Sequence, residues 1–536
     1  MRTINEPIPS LRTRVLSAVL PTLALLLLAP LLLSSQMSAQ AHQQPCKDLV
    51  KLQLPNTVIT FAALVTEGKF TPPRPSLPLG DLPAFCRVTA TTKPAIRFEV
   101  WLPLYTWNGK FQGVGNGGTA GSINYHAIGV AMRRGYAVVG TDTGHVNMPI
   151  GNGFDASWAL GHPELVADFG YRSLHLATVN GKQIAQAFYG KGPAHSYYVG
   201  CSQGGQQGLM EAQRFPDDYD GLLIGDPANN WSRHYVGAHL WYSIATLKDP
   251  ESYIPPSKVP LLANAVNAAC DANDGIADGV LDDPRQCKFD PAVLACKAGQ
   301  PTASCFTAKQ VKAIKDIWAG AHDSHGTPLY PGLLPGGENG SGGWSGWITG
   351  NKPFAATHWR AASAVFKEMV FENPNYNPLN FNDSDMKTVS AKVSRSLDAV
   401  NPDLRPLQRR GGKLILYHGW SDPDISPLNT INYYNQVTET VGKSTPQFLR
   451  LFMVPGMQHC GGGPGPNNFD GVTALEEWVE DGIAPEKLIA FHSTAGEIDR
   501  VRPLCPYPQV AVYRGKGSTN KAANFSCRLP QQKSSR

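Results

Sequence analysis

The sequence lacks any strong bias in charge. Of its 536 residues only 17% are charged, and the formal net charge is +5. No basic stripe with interleaved aromatic side chains occurs, so the electrostatic footprint of a nucleic-acid-binding protein is missing. No internal repeat is visible, and past the N-terminus no apolar run approaches the length of a membrane-spanning helix. We therefore expect a globular protein with no nucleic-acid partner and, once processed, no membrane partner.

The motif C-x-x-C is also missing, although the chain has ten cysteines. Its absence argues against a zinc site and against thioredoxin-like redox chemistry. An even number of cysteines in an exported chain predicts disulfides instead. Pairing neighbours along the sequence predicts Cys46–Cys86, Cys270–Cys287, Cys296–Cys305 and Cys505–Cys527, which leaves Cys201 with Cys460.

The N-terminus has the composition of an export signal. Three arginines precede an apolar run at 15–33, and the small-residue site Ala39-Gln40-Ala41 follows. This pattern predicts a signal peptide over residues 1–41, and hence a secreted or periplasmic protein. An uncleaved membrane anchor is the alternative, because the run is nearly long enough to span a bilayer. Pro21 and Pro30 interrupt that run and favour the signal peptide.

Short apolar runs alternate with helix-like segments on both sides of an irregular block. Strands that alternate with helices indicate an α/β fold with a largely parallel sheet. The block is richer in proline, glycine, asparagine and aromatic residues, and we interpret it as an inserted lid domain at 229–410. It separates an N-terminal core part at 42–228 from a C-terminal core part at 411–536. The predicted core strands are 96–102, 110–114, 136–139, 196–199, 219–225, 412–418 and 447–454.

One of these strands ends in Gly200-Cys201-Ser202-Gln203-Gly204. Strand, sharp turn and helix is the context in which G-x-S-x-G forms a nucleophile elbow. The turn forces the serine into strained backbone geometry and raises its hydroxyl above the sheet at a helix N-terminus, which favours developing negative charge. An ordinary glycine-rich turn is the alternative. The motif predicts that Ser202 is the nucleophile of a hydrolase.

An elbow serine needs a base and a carboxylate that orients the base. In α/β-hydrolases these follow the serine in the order acid, then histidine. Asp422 lies on a loop just past a late strand, and Asp424 is its rival two residues on. His459 follows the next strand on a glycine-containing loop, so the order predicts Ser202, Asp422 and His459 as a catalytic triad. The competing histidines are His145, His418 and His492.

A cysteine adjoins both the proposed nucleophile and the proposed base. Cys201 directly precedes Ser202, and Cys460 directly follows His459. If Ser202 and His459 are hydrogen-bonded, the two cysteines should be close enough for a disulfide. We expect such a bridge to hold the base and the nucleophile in register.

An oxyanion hole needs two backbone N–H donors, and the reaction then requires no cofactor. The N–H of Gln203, just after the nucleophile, is the first candidate. A glycine-rich loop after an early strand supplies the second, at Gly118 or Gly117. A flexible surface turn is the alternative interpretation of that loop.

The lid carries an acidic loop, Cys270 to Val280. Its carboxylates at Asp271, Asp274 and Asp278, with glycines for tight turns, suit a hard ion such as Ca²⁺. The carbonyls of Ile276 and Val280 would complete the coordination shell. The loop is not an EF-hand, since it lacks the glutamate at position twelve. We predict a structural calcium site; an acidic turn without metal is the alternative.

Together these motifs resemble the tannase and feruloyl esterase family of secreted α/β-hydrolases. The resemblance runs through most of the chain after residue 41. It implies an α/β-hydrolase fold with a large inserted lid, the triad named above, and calcium ligation by the three lid aspartates. It is strongest in 200–205, 208–214, the loop at Asp422, and His459-Cys460.

The resemblance implies hydrolysis of carboxylic esters that carry an aromatic acyl group. Feruloyl or other hydroxycinnamoyl esters, small or attached to plant polysaccharide, are the first expectation. Galloyl esters and mono(2-hydroxyethyl) terephthalate are alternatives. A peptidase on the same fold, and a calcium-dependent polysaccharide-binding protein with an inactive site, are rival hypotheses. The candidates for contact with the acyl group are Trp344, Trp347, Phe354, Trp359 and Ile425.

Overall fold

The computed structural model describes residues 44–73, 76–149 and 152–530, so the predicted signal peptide at 1–41 lies outside the described residues. Within these ranges the chain forms eighteen strands and fourteen α-helices. No helix in the described part of the chain is long and apolar enough to cross a bilayer.

The strands, in chain order, are β1 (Thr57–Val65), β2 (Gly68–Phe70), β3 (Leu79–Leu82), β4 (Phe85–Thr92), β5 (Ile96–Pro103), β6 (Lys110–Val114), β7 (Ala137–Thr141), β8 (His195–Cys201), β9 (Gly221–Gly225), β10 (Gly320–His322), β11 (Pro328–Pro331), β12 (Lys413–Gly419), β13 (Leu449–Val454), β14 (Asn468–Phe469), β15 (Leu488–Thr494), β16 (Glu497–Leu504), β17 (Val510–Tyr513) and β18 (Phe525–Arg528).

The α-helices are α1 (Tyr125–Arg133), α2 (Pro163–Ala167), α3 (Ser173–Tyr189), α4 (Gln203–Arg214), α5 (Trp231–His234), α6 (Trp241–Leu247), α7 (Val259–Cys270), α8 (Ala308–Ala319), α9 (Thr357–Ala364), α10 (Asp383–Val389), α11 (Arg395–Leu397), α12 (Arg405–Arg409), α13 (Pro427–Val441) and α14 (Gly471–Glu480). Several are extended or joined by π-helical turns, among them the turn Tyr235–Leu240 between α5 and α6.

Nine strands form the central sheet, in the order β1-β4-β5-β7-β6-β8-β9-β12-β13. Six of these strands run parallel to one another: β7, β6, β8, β9, β12 and β13. Strands β1, β4 and β5 add an antiparallel edge beside β7. Loops at the carboxyl ends of parallel strands meet at one edge of the sheet. The loops after β8, β9, β12 and β13 are therefore brought together.

Helices cover both faces of this sheet, because successive strand residues point to opposite sides. Tyr197, Leu223 and Ile415 pack in a core that α1 and α14 close. Their chain neighbours Tyr198, Leu222 and Leu414 pack on the other face against α4 and α13. This layered sheet with its crossover helices is the α/β-hydrolase fold that the sequence predicts.

The segment between β9 and β12 forms the inserted lid. Its helices enclose one apolar core of their own and share a second with residues before β8, such as Trp158 and Phe169. Its loops also touch the loops that follow β12 and β13: Ser421 donates to the carbonyl of Gly336 at 3.1 Å, and Gln458 to that of Asn339 at 2.6 Å. The lid is thus joined to the carboxyl edge of the sheet. Its exact bounds, 229–410, stay a prediction.

Prediction 1 concerns Gly115, which directly follows β6 and packs against the elbow. A Cβ there would lie 2.4 Å from the Tyr198 hydroxyl and 2.7 Å from the Cα of Gly204. Backbone atoms cannot move aside cheaply, so we expect Gly115→Ala to reduce the free energy of unfolding by about 2 kcal/mol. Urea denaturation followed by circular dichroism measures this. The control is Gly192→Ala, because a Cβ at Gly192 meets no atom within 4 Å; equal losses in both variants would contradict the prediction.

Candidate active site

Ser202 occupies a sharp turn between β8 and α4. Its φ of 63° and ψ of −122° lie in a region that non-glycine residues rarely adopt. The turn closes tightly, since a Cβ on Gly200 would lie 2.5 Å from the carbonyl oxygen of Gly204. The Ser202 N–H donates to the carbonyl of Gly225 at 3.1 Å, which ties the elbow to the end of β9. The predicted nucleophile-elbow conformation is therefore present.

His459 lies on the loop after β13, with its Nδ1 2.8 Å from Asp422 Oδ2. The other oxygen of Asp422 accepts hydrogen bonds from the amides of Asp424 at 2.8 Å and Ile425 at 3.0 Å. Burial lowers the pKa of His459, but the charges of Asp422, Asp424 and Asp226 outweigh burial and raise it. These carboxylates thus stabilise the protonated His459 ring, which is the form that arises when a catalytic base takes a proton.

Ser202 and His459 line the same cavity. Among the hydrogen bonds of the described residues, none joins the Ser202 hydroxyl to the His459 ring. Catalytic hydrogen bonds are often long or poorly aligned before a substrate is bound, so this geometry is compatible with a nucleophile and its base.

The Cys201–Cys460 disulfide connects the two loops, with the Cα atoms 6.0 Å apart. Asp226, fully buried at the end of β9, supports this link: its Oδ2 accepts from the Cys460 amide at 2.6 Å and its Oδ1 from the Gly419 amide at 2.8 Å. Burial raises the pKa of Asp226 to about 6. The other disulfides join Cys46–Cys86, Cys270–Cys287, Cys296–Cys305 and Cys505–Cys527, the pairs expected from the sequence.

Asp424, the rival acid, lies on the other side of the His459 ring. Its Oδ2 is 3.5 Å from His459 Nε2. Its Oδ1 accepts hydrogen bonds from His239 Nε2 at 2.8 Å and His358 Nε2 at 3.0 Å. His234 Nε2 lies 3.5 Å from the same oxygen and 3.2 Å from the backbone carbonyl of Asp424. By geometry the carboxylate paired with His459 Nδ1 is Asp422, whereas Asp424 joins the other side of the ring to a buried cluster of lid histidines.

The cavity has a volume of about 450 Å³, within the range of small-molecule sites. Gly117, Gly118 and Gln203 lie in its wall beside Ser202, where the two oxyanion donors are expected. Only the backbone N–H of Gln203 is expected to act as an oxyanion donor. Its side chain is hydrogen-bonded elsewhere, because Nε2 donates to Gln206 at 2.8 Å and Oε1 accepts from Trp231 at 3.1 Å. Aromatic side chains form much of the remaining wall: Phe154, Trp231, Tyr235 and Trp347.

Only one of the lid and loop residues singled out from the sequence, Trp347, lines this cavity; its ring centroid lies 5.2 Å from that of His459. Trp344 is buried in the lid core, and Ile425 is buried in a neighbouring core. Trp359 packs against Phe354 instead. Helical spacing and composition cannot distinguish a tryptophan that fills a core from one that borders a cavity.

The competing histidines lie elsewhere. His145 stacks on Trp158 at 3.7 Å, and its Nε2 lies 2.8 Å from the carbonyl of Thr119 on the glycine-rich loop after β6. Burial lowers its pKa to about 4. His492 pairs with Asp499 near the surface. His418 is fully buried beside Asp422, with its Nε2 3.0 Å from the carbonyl of Ile425, and serves the loop rather than the cavity.

Several cavity residues were missed by the sequence analysis, above all His234, Tyr235 and His239. They lie at the start of the lid, where α5 continues into the π-helical turn Tyr235–Leu240. The density of aromatic and histidine residues directly after β9 was the available signal. Spacing alone could not place these side chains, because a π turn breaks the helical period.

In the acidic lid loop the Asp278 amide donates to Asp271 Oδ1 at 3.2 Å, and the charges of Asp271 and Asp278 act on Asp274. Burial, and then the charges of Asp278 and Asp271, raise the pKa of Asp274 to about 6. Within the described residues, the carbonyls of Ile276 and Val280 accept no hydrogen bond. Arg502 Nη2 lies 2.7 Å from Asp278 Oδ2 and offsets part of the negative charge. Crowded carboxylates with free carbonyl oxygens are a donor set that suits Ca²⁺.

The fold and the elbow define the protein as an α/β-hydrolase. The sequence pattern of the family described as tannase and feruloyl esterase matches residues 80–528. The chain therefore belongs to this family, and it is a carboxylic ester hydrolase.

Three similar proteins illustrate the relationship. An uncharacterized esterase of Xanthomonas campestris is 39% identical, over 90% of this chain and 91% of its own. The mono(2-hydroxyethyl) terephthalate hydrolase of Piscinibacter sakaiensis is 36% identical, over 81% of this chain and 82% of its own. The crystal structure of feruloyl esterase B from Aspergillus oryzae superimposes with a TM-score of 0.81 at 30% identity, covering 90% of this chain and 99% of that one.

Prediction 2 concerns the Cys201–Cys460 disulfide, which joins the elbow to the loop that carries His459. We expect the double variant C201S/C460S to lose at least about tenfold in kcat, because small displacements of a base from its nucleophile are costly. The control is C505S/C527S, which removes the bridge that joins β18 to the end of β16. Both are assayed at matched folded fraction, judged by circular dichroism. A similar loss of kcat in the two variants would show that the Cys201–Cys460 bridge has no special role.

Proposed function

We propose that the protein is a secreted or periplasmic serine esterase that hydrolyses esters of aromatic acids through an acyl-enzyme on Ser202. The observation that carries this proposal is the His459–Asp422 pair, 2.8 Å apart, in the same cavity as a serine at a strained elbow. Ester hydrolysis by this arrangement needs no cofactor for the chemistry.

In the proposed mechanism His459 Nε2 takes the proton of Ser202 as the hydroxyl oxygen attacks the ester carbonyl. The N–H groups of Gln203 and Gly118 or Gly117 hold the oxyanion. His459 then returns the proton to the departing alcohol, leaving an acyl-serine. Water activated by His459 attacks this ester, the acid departs, and Ser202 regains its proton. Asp422 keeps the ring oriented throughout.

The cavity supports an uncharged aryl group as the acyl substituent. Its aromatic walls suit stacking on a ring. None of the described residues that line it is a lysine or an arginine, and Asp424 contributes a carboxylate. A substrate that carries its own carboxylate, as mono(2-hydroxyethyl) terephthalate does, would therefore find no lysine or arginine in the cavity wall to pair with. Feruloyl and related hydroxycinnamoyl esters, and galloyl esters after them, fit these walls better.

The rival hypotheses have less support. A polysaccharide-binding protein with an inactive site has no need of a strained serine facing a histidine–aspartate pair. Parallel assays with ester and amide substrates would distinguish an esterase from a peptidase on the same fold. Membership of an esterase family favours esters.

Prediction 3 tests the reaction and its acyl group together. We expect kcat/KM for methyl ferulate to exceed that for mono(2-hydroxyethyl) terephthalate at least about tenfold, a difference of about 1.4 kcal/mol. Ser202→Ala should abolish turnover of both, with kcat falling by at least roughly 10⁴-fold. Chromatographic detection of the released acids, with methyl gallate as a third ester, provides the measurement.

The control for this experiment is Ser173→Ala, which removes a buried hydroxyl that has no hydrogen-bond partner among the described residues. It should hydrolyse methyl ferulate like the wild type. Turnover by Ser202→Ala at the wild-type rate would overturn the mechanism, and faster hydrolysis of the terephthalate ester would overturn the choice of substrate.

We further propose that the lid loop binds Ca²⁺ as a structural ion. Asp271, Asp274 and Asp278 would supply carboxylates and Ile276 and Val280 carbonyl oxygens. The loop follows α7 and is closed by the Cys270–Cys287 disulfide. It is remote in sequence from Ser202. The ion would offset the crowded carboxylates and takes no part in ester hydrolysis.

Prediction 4 is that removing Ca²⁺ with a chelator lowers the melting temperature by several degrees and that added Ca²⁺ restores it, because a ligand bound to the folded state alone stabilises it. Asp274→Asn should weaken this response. The control is Asp323→Asn, another lid aspartate that accepts bonds from nearby amides. Equal melting curves for the wild type with and without Ca²⁺ would exclude the site.

A further inference from the structure

Asp424 is a buried carboxylate whose two oxygens have different surroundings. Oδ1 receives the imidazole N–H groups of His239 and His358, with His234 close behind. All three histidines belong to the lid, and each is at most 2% exposed. An ionised carboxylate accepts hydrogen bonds and donates none. The N–H donors around Oδ1 therefore stabilise the charged form of Asp424.

The second oxygen, Oδ2, accepts no hydrogen bond from the described residues. Asp424 is 4% exposed and lines the same cavity as Ser202. The nearest cationic partner of Oδ2 is His459 Nε2, at 3.5 Å. This is the nitrogen that must face the serine, since Nδ1 is occupied by Asp422.

We propose that Asp424 is a positioning residue for the esterase reaction: its free oxygen holds the His459 ring towards the cavity and stabilises that ring once it carries the serine proton. This inference rests on the serine mechanism proposed above. In the acylation step the Ser202 O–H bond breaks, its proton moves to His459 Nε2, and the oxygen–carbonyl bond forms. Asp424 exchanges no proton; it stabilises the imidazolium by its charge.

Other charged groups bear on the same ring. Asp422 and Asp226 add negative charge near His459, and burial opposes them. His418 lies 3.3 Å from Asp422 and 3.6 Å from Asp226 and shares their charge. The groups that bear on Asp424, apart from His459, are His234, His239, His358 and the hydroxyls of Tyr235, Tyr242 and Tyr330.

Prediction 5 uses the isosteric variant Asp424→Asn. Its amide oxygen can still accept from His239 and His358, so the lid contact is retained, but the negative charge beside Nε2 is lost. Without that charge the ring loses its proton at lower pH. The acid limb of the kcat/KM profile for methyl ferulate should move down by about one pH unit. The plateau kcat should fall roughly tenfold, because the imidazolium is less stabilised.

A second variant tests the opposite sign. His358→Phe removes one N–H donor from Oδ1 on the side away from the cavity, since His358 does not line it. Asp424 then presents more of its charge to His459, so the acid limb should move up. A merely structural defect would not shift the two profiles in opposite directions. The control is Asp398→Asn, a half-buried lid carboxylate that accepts from Ser232 and should leave the profile unchanged.

The outcomes are distinct. A folded Asp424→Asn with the wild-type profile, or a shift of both variants in one direction, overturns the role of Asp424. Where Asp424→Asn fails to fold by circular dichroism, a downward or absent shift in His358→Phe overturns it. Full activity of Ser202→Ala would instead overturn the serine mechanism, and with it the basis of the inference.

Discussion

Three carboxylates, Asp226, Asp422 and Asp424, are buried together at the carboxyl ends of β9 and β12, and in the described part of the chain none of them pairs with a lysine or an arginine. Buried negative charge is very unfavourable unless hydrogen-bond donors surround it. Here the donors are backbone amides and imidazoles. The positions of the surrounding loops follow from the need to supply them.

Each carboxylate therefore fixes a different part of the site. Asp226 accepts amides from the last residue of β12 and from the loop after β13, and so holds Cys460 near Cys201. Asp422 shapes its own loop through two amides and orients His459. Asp424 takes its donors from the lid. The lid is thus more than a cover for the cavity, because its histidines supply the hydrogen-bond donors of a carboxylate that belongs to the core.

Much of this architecture could be predicted from local sequence. The glycine spacing around Ser202 requires a sharp strand-to-helix turn, and β6, β8 and β12 begin or end within a residue or two of the apolar runs. The order of Ser202, Asp422 and His459 follows from the fold's loop order. The antiparallel edge formed by β1 and β4 was not predicted, because β4 is rich in small and polar residues and forms no apolar run, although its burial alternates and it pairs with β5 across a short turn.

The lid shows where sequence reasoning fails. Trp344 and Trp347 are three residues apart and chemically identical, yet one fills the lid core and the other borders the cavity. Which of them faces substrate depends on a π-helical turn that covers Ser345–Thr349. His234, His239 and His358 come together only through long-range packing around Asp424. The first two are five residues apart and the third is more than a hundred residues further on, so their spacing in the sequence does not predict the cluster.

The choice between Asp422 and Asp424 was posed by the sequence as an alternative between two candidates for one role. The structure places them on opposite nitrogens of the same ring, linked by the Asp424 amide that donates to Asp422 Oδ1. A single tight turn therefore positions both carboxylates: Asp422 orients the His459 ring, and Asp424 faces the ring nitrogen Nε2. Because both charges favour the protonated ring, the site gains stabilisation of the imidazolium at the cost of needing a higher pH to free the base. His239 and His358 moderate that cost, since each N–H donated to the Asp424 carboxylate draws charge away from His459.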